Sequence, residues 1–192
     1  TLTMGFLAMG VYMVFFLEGM KGSTAAEGAI ILATAPIFTS LFAAAARQER
    51  LNLGALAGGF MSFAGVVLVI LGGVSSGPAP SGKLLGNFLI LASSAIWAAS
   101  AVLSRPLVER HSPFRILTLS MPGAIPVLVP YGLMSTINLD WTTVSPISYL
   151  LLAHVAMLAG VAGFAGFYVG VRQVGAAGAM LYQFLVPPVA AT

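Results

Sequence analysis

Four ionisable side chains fall within long apolar stretches of this 192-residue chain, and they are the first places where chemistry could occur. Glu18, Glu27, Arg115 and His154 would each be costly at membrane depth, so each is a candidate for a role in function. Glu27 follows Thr24 at the spacing of a capping box, which favours a structural role at a helix start. Arg115 can extend its long side chain to the membrane interface.

His154 is the strongest of these candidates. Its side chain is too short to reach the interface from the predicted helix 146–170. An imidazole can change its charge near neutral pH, so His154 is a candidate for substrate binding and for proton coupling. A hydrogen bond to a neighbouring helix explains the residue equally well. Glu18 is a second candidate for proton coupling, although an ion pair with Lys21 is the simpler interpretation.

Aromatic and amide groups form a second set of candidates. Trp97 lies in the middle of the predicted span 84–104, away from the interface where an indole N–H is easily satisfied, so it should face a polar interior. We predict that the substrate-binding residues are His154, Trp97, Tyr168, Tyr182 and Gln183.

The predicted helix 146–170 has two different faces. His154 and Tyr168 share one face, and glycines and alanines occupy the other. Small residues at this spacing allow a neighbouring backbone to approach closely. We therefore expect the glycine face, which contains Gly163, Gly166 and Gly170, to pack against another helix, and the His154 face to line a cavity.

The composition indicates that these residues belong to a membrane protein. Hydrophobic residues make up 59% of the chain and charged residues 7%, and the mean hydropathy is +1.01. The chain has no cysteine, and its basic residues are dispersed, which argues against disulfides and against nucleic acid as a partner. The spacings typical of metal, zinc or serine catalysis and of channel filters are missing. We expect no enzymatic activity, no metal and no cofactor.

Several stretches are long enough to cross a bilayer as helices. Strand-like alternation is missing, so the sequence predicts an all-α, polytopic membrane helix bundle. The predicted spans are about 2–20, 24–46, 53–73, 84–104, 113–135, 146–170 and 174–192. If the spans alternate in direction, Lys21 and Lys83 lie on one side of the membrane and six arginines lie on the other, which is then the expected cytoplasmic side. These are Arg47, Arg50, Arg105, Arg110, Arg115 and Arg172.

The chain contains a weak internal repeat. Residues 4–41 align without a gap to residues 155–192, an offset of 151 positions, with Phe16 matching Phe167 and Pro36 matching Pro187. Five predicted spans separate the matched helices, and an odd number means that the second copy crosses the membrane in the opposite direction. Pro36 and Pro187 are predicted helix breaks at equivalent positions, a pattern typical of a binding site near the bilayer midplane.

Several short motifs resemble those of EamA-type members of the drug/metabolite transporter superfamily. The motifs of the first repeat are Pro36, Glu49-Arg50-Leu51, Gly58 and Gly65-Val66. Those of the second are Trp97 within Ala95-Ile96-Trp97-Ala98 and the pair Ser104-Arg105. Gln48 departs from the family pattern, in which a glycine commonly precedes the glutamate.

The resemblance implies an architecture. Family members usually have ten helices in two inverted five-helix repeats around a central cavity, and this chain resembles helices three to nine. Residues 1–74 would then be the later part of the first repeat with three helices. Residues 75–82, rich in proline, glycine and serine, would be an outer linker, and residues 83–192 the earlier part of the second repeat with four helices.

The resemblance also implies a function. We expect a transporter that moves a small organic solute, an amino acid or related metabolite, outward by alternating access in the bacterial inner (plasma) membrane. A structural or receptor-like multi-pass protein without transport activity is the alternative. The expected partners are the small-molecule substrate, the lipid bilayer and, through the small residues Gly54, Gly58 and Ser62, a second copy in a homodimer.

Overall fold

The computed structural model describes residues 1–50, 83–137, 140–141 and 144–185, together with a few isolated positions between 54 and 68. Every regular element in these ranges is helical, so the prediction of an all-α membrane helix bundle is confirmed. The helices are α1 (Leu2–Lys21), α2 (Ala25–Leu32), α3 (Ala35–Ala45), α4 (Lys83–Arg110), α5 (Pro113–Ile137) and α6 (Pro146–Leu181).

Five helices in the described ranges are long and apolar enough to cross a membrane. They correspond to the first, second, fourth and fifth predicted spans, with α2 and α3 together forming the second, and α6 covers the sixth and continues into residues 174–181 of the seventh, which was predicted as a separate helix. Most of the predicted span 53–73, the linker 75–82 and residues 186–192, which include Pro187, lie outside the described residues.

Side-chain caps account for two of the helix starts. The hydroxyl of Thr24 accepts a hydrogen bond from the backbone N–H of Glu27 at 3.2 Å, as one half of a capping box requires. The hydroxyl of Ser145 accepts one from the N–H of Ile147 at 3.3 Å, and Pro146 follows in the first turn, where its missing N–H costs nothing.

Glycines set how closely the helices approach each other. At Gly86 of α4 an added Cβ would lie 2.6 Å from the carbonyl carbon of Gly22 and 2.7 Å from the carbonyl oxygen of Gly19. Gly5 of α1 and Gly123 of α5 make equally close approaches between those two helices. The backbones of α1, α4 and α5 therefore touch, which is the packing that small residues permit in membrane proteins.

The two ends of the bundle differ. Arg105 of α4 contacts Gln48 and Glu49, which follow α3, and it lies next to Gly175 of α6, so these segments meet at one end. We call this the arginine-rich end. The largest buried cluster packs the parts of α3, α4, α5 and α6 nearest to it. Its members include Ala43, Val108, Ile116, Val171 and Met180.

Candidate substrate cavity

Trp97 is the centre of an aromatic cluster contributed by three helices. Its ring centroid lies 5.4 Å from that of Tyr12 in α1 and 5.0 Å from that of Phe167 in α6. Phe164 meets it edge-on at 5.6 Å, a favoured geometry for aromatic pairs. The indole N–H is buried and has no hydrogen-bond partner within the described ranges. Trp97 therefore presents its ring, not its N–H, to the space beside it.

This cluster borders a cavity of about 300 Å³. Its wall combines residues from α1, α4 and α6 with Gln183, which follows α6. The lining residues are Tyr12, Met13, Trp97, Gly163, Phe164, Phe167 and Gln183. A second space of about 210 Å³ shares Tyr12, Trp97 and Gln183 with it and extends to the turn between α2 and α3.

The described lining of both spaces is aromatic and apolar, with few polar groups. None of its side chains is charged, and its hydrogen-bonding side chains are the amide of Gln183 and the hydroxyl of Tyr12. Ligand sites of this type bury an apolar or aromatic group and orient it with one or two hydrogen bonds. The cavity can therefore hold a small organic molecule without an ionic contact to these residues.

A third space of about 490 Å³ lies along the glycine face of α6. It is bordered by Gly163, Gly166 and Gly170 on one side and by Tyr182 and Gln183 on the other. Nothing described lies within 4 Å of an added Cβ at Gly166, whereas one at Gly170 would lie 3.5 Å from the Cβ of Ala179, so the packing of this face against another helix stays a prediction. Glycine and alanine allow a neighbouring helix to approach closely, but they bury little apolar surface when it does. Large apolar side chains bury more surface, so their burial stabilises the fold more.

The opposite face of α6 is the one that packs. Tyr168 is 1% exposed and lies behind the cavity, in contact with Phe164 and Phe167. Its hydroxyl has no hydrogen-bond partner among the residues described. Tyr168 thus belongs to the buried cluster and does not line the described cavities, contrary to the expectation for this face, and its role in substrate binding stays a prediction.

His154 is not part of these spaces. It lies in Pro146–Val155, a segment in which no residue is buried, and its side chain is exposed. Of the five predicted binding residues, the structure brings Trp97, Tyr182 and Gln183 to the cavities. A role for His154 in binding or proton coupling stays a prediction.

Four lining residues were missed by sequence reasoning. Tyr12, Met13, Phe164 and Phe167 look like ordinary apolar helix residues, which a lipid-facing surface also contains. The internal repeat was the signal that could have found them. At the offset of 151 positions Met13 is equivalent to Phe164, and Phe167 is equivalent to Phe16, which stacks on Tyr12.

Irregularities of the two matched segments also fall at equivalent positions. A π-helical stretch covers Phe6–Val11 in α1 and Ala156–Gly163 in α6, which overlap at this offset. The next helix begins at Ala25 in the first segment, and in the second the chain becomes helical again at Ala176 after non-helical Gly175. Pro36 follows a two-residue turn, and the equivalent of that turn lies in the 3₁₀ helix Tyr182–Leu185.

Glu18 lies in an ion pair near the other end of the bundle. Its Oε1 accepts hydrogen bonds from Nζ of Lys21 and from the hydroxyl of Tyr131, both at 2.6 Å. The Lys21 ammonium also lies 5.7 Å from the centroid of the Tyr131 ring. The simpler interpretation of Glu18, an ion pair with Lys21, is therefore observed. Proton coupling at Glu18 stays a prediction.

A second polar cluster surrounds Glu49 at the arginine-rich end. Its Oε1 accepts a hydrogen bond from Arg105 at 2.7 Å and from the backbone N–H of Ala176 at 2.9 Å. Arg105 also donates to the carbonyl of Gln48 at 3.1 Å and to the carboxylate of Glu109 at 3.0 Å.

A bundle of long apolar helices beside an uncharged aromatic cavity defines a polytopic membrane protein. The chain belongs to the EamA-like transporter family, whose model matches residues 1–71 and 84–192. The resemblance seen in the sequence motifs is thereby confirmed.

Curated relatives agree with the family. An uncharacterized transporter, YyaM, of Bacillus subtilis (strain 168) is 24% identical over 98% of this chain and 62% of its own length. A probable terminal-alkyne amino-acid exporter of Streptantibioticus cattleyicolor is 22% identical over 97% of this chain and 60% of its own length. The chain thus spans about three fifths of the length of these relatives. No solved structure gives a significant match.

Proposed function

We propose that this chain forms part of a carrier that moves a small organic solute, an amino acid or related metabolite, outward across a bacterial inner membrane by alternating access. Residues 1–74 would belong to one repeat and residues 83–192 to an inverted second repeat, joined by the linker 75–82. The arginine-rich end would face the cytoplasm.

One observation carries the proposal. Two pairs of repeat-equivalent residues, Tyr12 with Gly163 and Met13 with Phe164, line the same cavity. Leu32, which is equivalent to Gln183 at the same offset, lines the adjoining space together with Gln183. Equivalent residues meet in this way when a pseudo-twofold axis passes through the site, and carriers built from inverted repeats bind their solutes there.

The cavity chemistry supports the substrate class. An uncharged aromatic wall suits the side chain of an apolar or aromatic amino acid, and the amide of Gln183 can hydrogen-bond a polar group of the same molecule. The similarity to a probable terminal-alkyne amino-acid exporter agrees with this class and with outward movement.

The test is transport by the full chain reconstituted in liposomes that are loaded with labelled amino acids and related metabolites. We expect solute exchange that falls about tenfold in Trp97→Ala, the loss that corresponds to about 1.4 kcal/mol of aromatic contact. Trp141→Ala is the matched control, because Trp141 is 51% exposed and lies outside the described cavities. Exchange that is unaffected by Trp97→Ala would contradict this site. Solute binding without exchange would support the receptor-like alternative.

A further inference from the structure

Glu49 connects three separate parts of the bundle. It lies in the segment after α3, pairs with Arg105 near the end of α4, and accepts the backbone N–H of Ala176 in α6. Its side chain is only 22% exposed, so the ion pair is largely shielded from water. Among hydrogen bonds, those to an ionised and partly buried carboxylate are the stronger ones.

The chain directs Glu49 inward through a reversal at the end of α3. Arg47 adopts a left-handed conformation with φ of 56°, and the backbone N–H groups of Gln48 and Glu49 return to the carbonyl of Ala43 at 2.9 and 3.3 Å. This is the type of bonding by which helix ends satisfy free carbonyls. It turns the segment back toward the bundle, where Glu49 meets α4 and α6.

Gly175 makes the contact with α6 feasible. Its φ of 83° and ψ of 171° interrupt the helix, and the chain resumes helical geometry at Ala176. The first N–H groups of a helical segment lack partners within it, and Glu49 satisfies the one on Ala176. An added Cβ at Gly175 would collide with the Glu49 carboxylate, so glycine is required here for geometry and for space.

The segment that follows this hinge, residues 176–185, carries Tyr182 and Gln183 to the cavities. We call it the hinged arm. Its first part is deeply buried at the arginine-rich end, where Ala176 and Met180 pack in one cluster with Ala43 of α3. The other end of α6 contrasts with this, because Pro146–Val155 contains no buried residue. Within the described residues, α6 is thus packed against its neighbours at the arginine-rich end and exposed at its other end.

We propose that Glu49 and Arg105 form a clamp that holds the hinged arm against α3 and α4, closes the arginine-rich end, and must release Ala176 when the carrier opens toward that side. Glu49 is a positioning residue in this scheme, because it acts on the cavity through Gln183 and does not touch the solute site itself. The inference rests on the proposed function, which requires the cavity to open alternately to each side.

The ion-pair network offers a matched control. Glu109 also pairs with Arg105, through Nε at 3.0 Å, but it is 50% exposed and makes no described contact with the hinge. Removing Glu109 therefore breaks an ion pair of the same arginine and leaves the bond to Ala176 intact. If the clamp acts through the hinge, replacing Glu49 must open the arginine-rich end and replacing Glu109 must not.

The experiment measures access to the closed end by cysteine labelling, which suits a chain without native cysteine. Ala43→Cys places a thiol at a position that is 0% exposed in the cluster beneath the hinged arm. A membrane-impermeant maleimide is added to inverted membrane vesicles, which expose the arginine-rich end. Glu49→Ala should increase the labelling rate about tenfold, which equals loss of one charge-assisted hydrogen bond. Glu109→Gln should leave the rate unchanged.

Two further positions separate release of the clamp from general loosening of the fold. His111→Cys is an exposed position that reports equal access of the reagent in every background. Ala8→Cys, 1% exposed in α1, should stay protected. If Glu49→Ala does not insert, Glu49→Gln keeps an oxygen acceptor for Ala176 but loses the charge, and an intermediate labelling rate is expected.

Equal labelling of Ala43→Cys in the parent, Glu49→Ala and Glu109→Gln backgrounds would overturn the clamp, as would equal increases at Ala8→Cys and Ala43→Cys. The measurement needs no solute, so it is independent of transport. Faster labelling in a chain that exchanges no solute would support the clamp and count against the proposed function. Solute exchange with unchanged labelling would support the proposed function and count against the clamp.

Discussion

Tyr12 and Gly163 line the same cavity from α1 and α6, although they are 151 positions apart in the chain. The pairing is unequal, because one position contributes an aromatic ring and its equivalent contributes no side chain. A site around a pseudo-twofold axis must have this kind of asymmetry if it is to bind an asymmetric solute. We infer that the missing side chain at Gly163 leaves room that the solute occupies.

Gly163→Leu tests that inference directly. An added Cβ at Gly163 meets only the carbonyl oxygen of Leu158, at 3.4 Å, within the described ranges, so the helix should tolerate a larger residue. The leucine would fill part of the cavity of about 300 Å³, and we expect solute exchange in liposomes to fall strongly while the amount of folded protein stays constant.

The control for this substitution is Gly160→Leu in the same π-helical stretch. Gly160 has nothing described within 4 Å of an added Cβ, and it does not line the cavity. Solute exchange should be retained in this variant. Equal loss in both variants would mean that the leucine disturbs the helix, and retained exchange in both would remove Gly163 from the site.

Local signals in the sequence predicted the helix starts well. Thr24 caps its helix as expected, because a capping hydrogen bond depends on residues that are close together in the chain. The same holds for the ion pair between Glu18 and Lys21, three residues apart on one helix. These features need no knowledge of the tertiary structure.

The orientation of α6 could not be predicted in this way. A helix with one glycine face and one mixed face can pack either face against the bundle. The choice depends on the side chains of the neighbouring helices, which local sequence patterns do not reveal. Burial of Tyr168 and Val171 against α4 decided the outcome, and it turned the glycines toward the cavity. The site is accordingly more apolar than the prediction based on His154 suggested.

The contact between α1 and α4 leads to a prediction on folding. Gly86→Ala should reduce the yield of folded protein, because the added methyl group would lie under 3 Å from backbone atoms of Gly19 and Gly22, which cannot move aside. Overpacking of this kind costs about 1–3 kcal/mol. The measurement is the monodisperse fraction in detergent and its thermal midpoint, compared with Gly132→Ala in α5, which has open space around it. A wild-type midpoint for Gly86→Ala would show that the helices do not cross this closely.

The ion pair at Glu18 makes a contrasting prediction. Side chains of Glu18 and Lys21 are 39% and 67% exposed, and ion pairs at such positions contribute about 0.2–1 kcal/mol. We expect Glu18→Gln to lower the thermal midpoint only slightly and to leave solute exchange unchanged, since the residue is outside the described cavities. Loss of exchange driven by a pH gradient, with solute counterflow retained, would instead identify Glu18 as the proton-coupling residue.

Gly175 should be the most sensitive glycine of α6. At φ of 83° and ψ of 171°, a region that essentially only glycine adopts, alanine costs about 1–3 kcal/mol, and its methyl group would also displace the Glu49 carboxylate from Ala176. In contrast, Gly166→Ala should be neutral or stabilising by about 0.5–1 kcal/mol, because Gly166 is in a helix interior with open space beside it. The thermal midpoint of Gly175→Ala should therefore be clearly lower than that of Gly166→Ala. If Gly175→Ala is as stable as Gly166→Ala, α6 does not break at this residue, and the arm that carries Gln183 to the cavity is a continuation of the same helix.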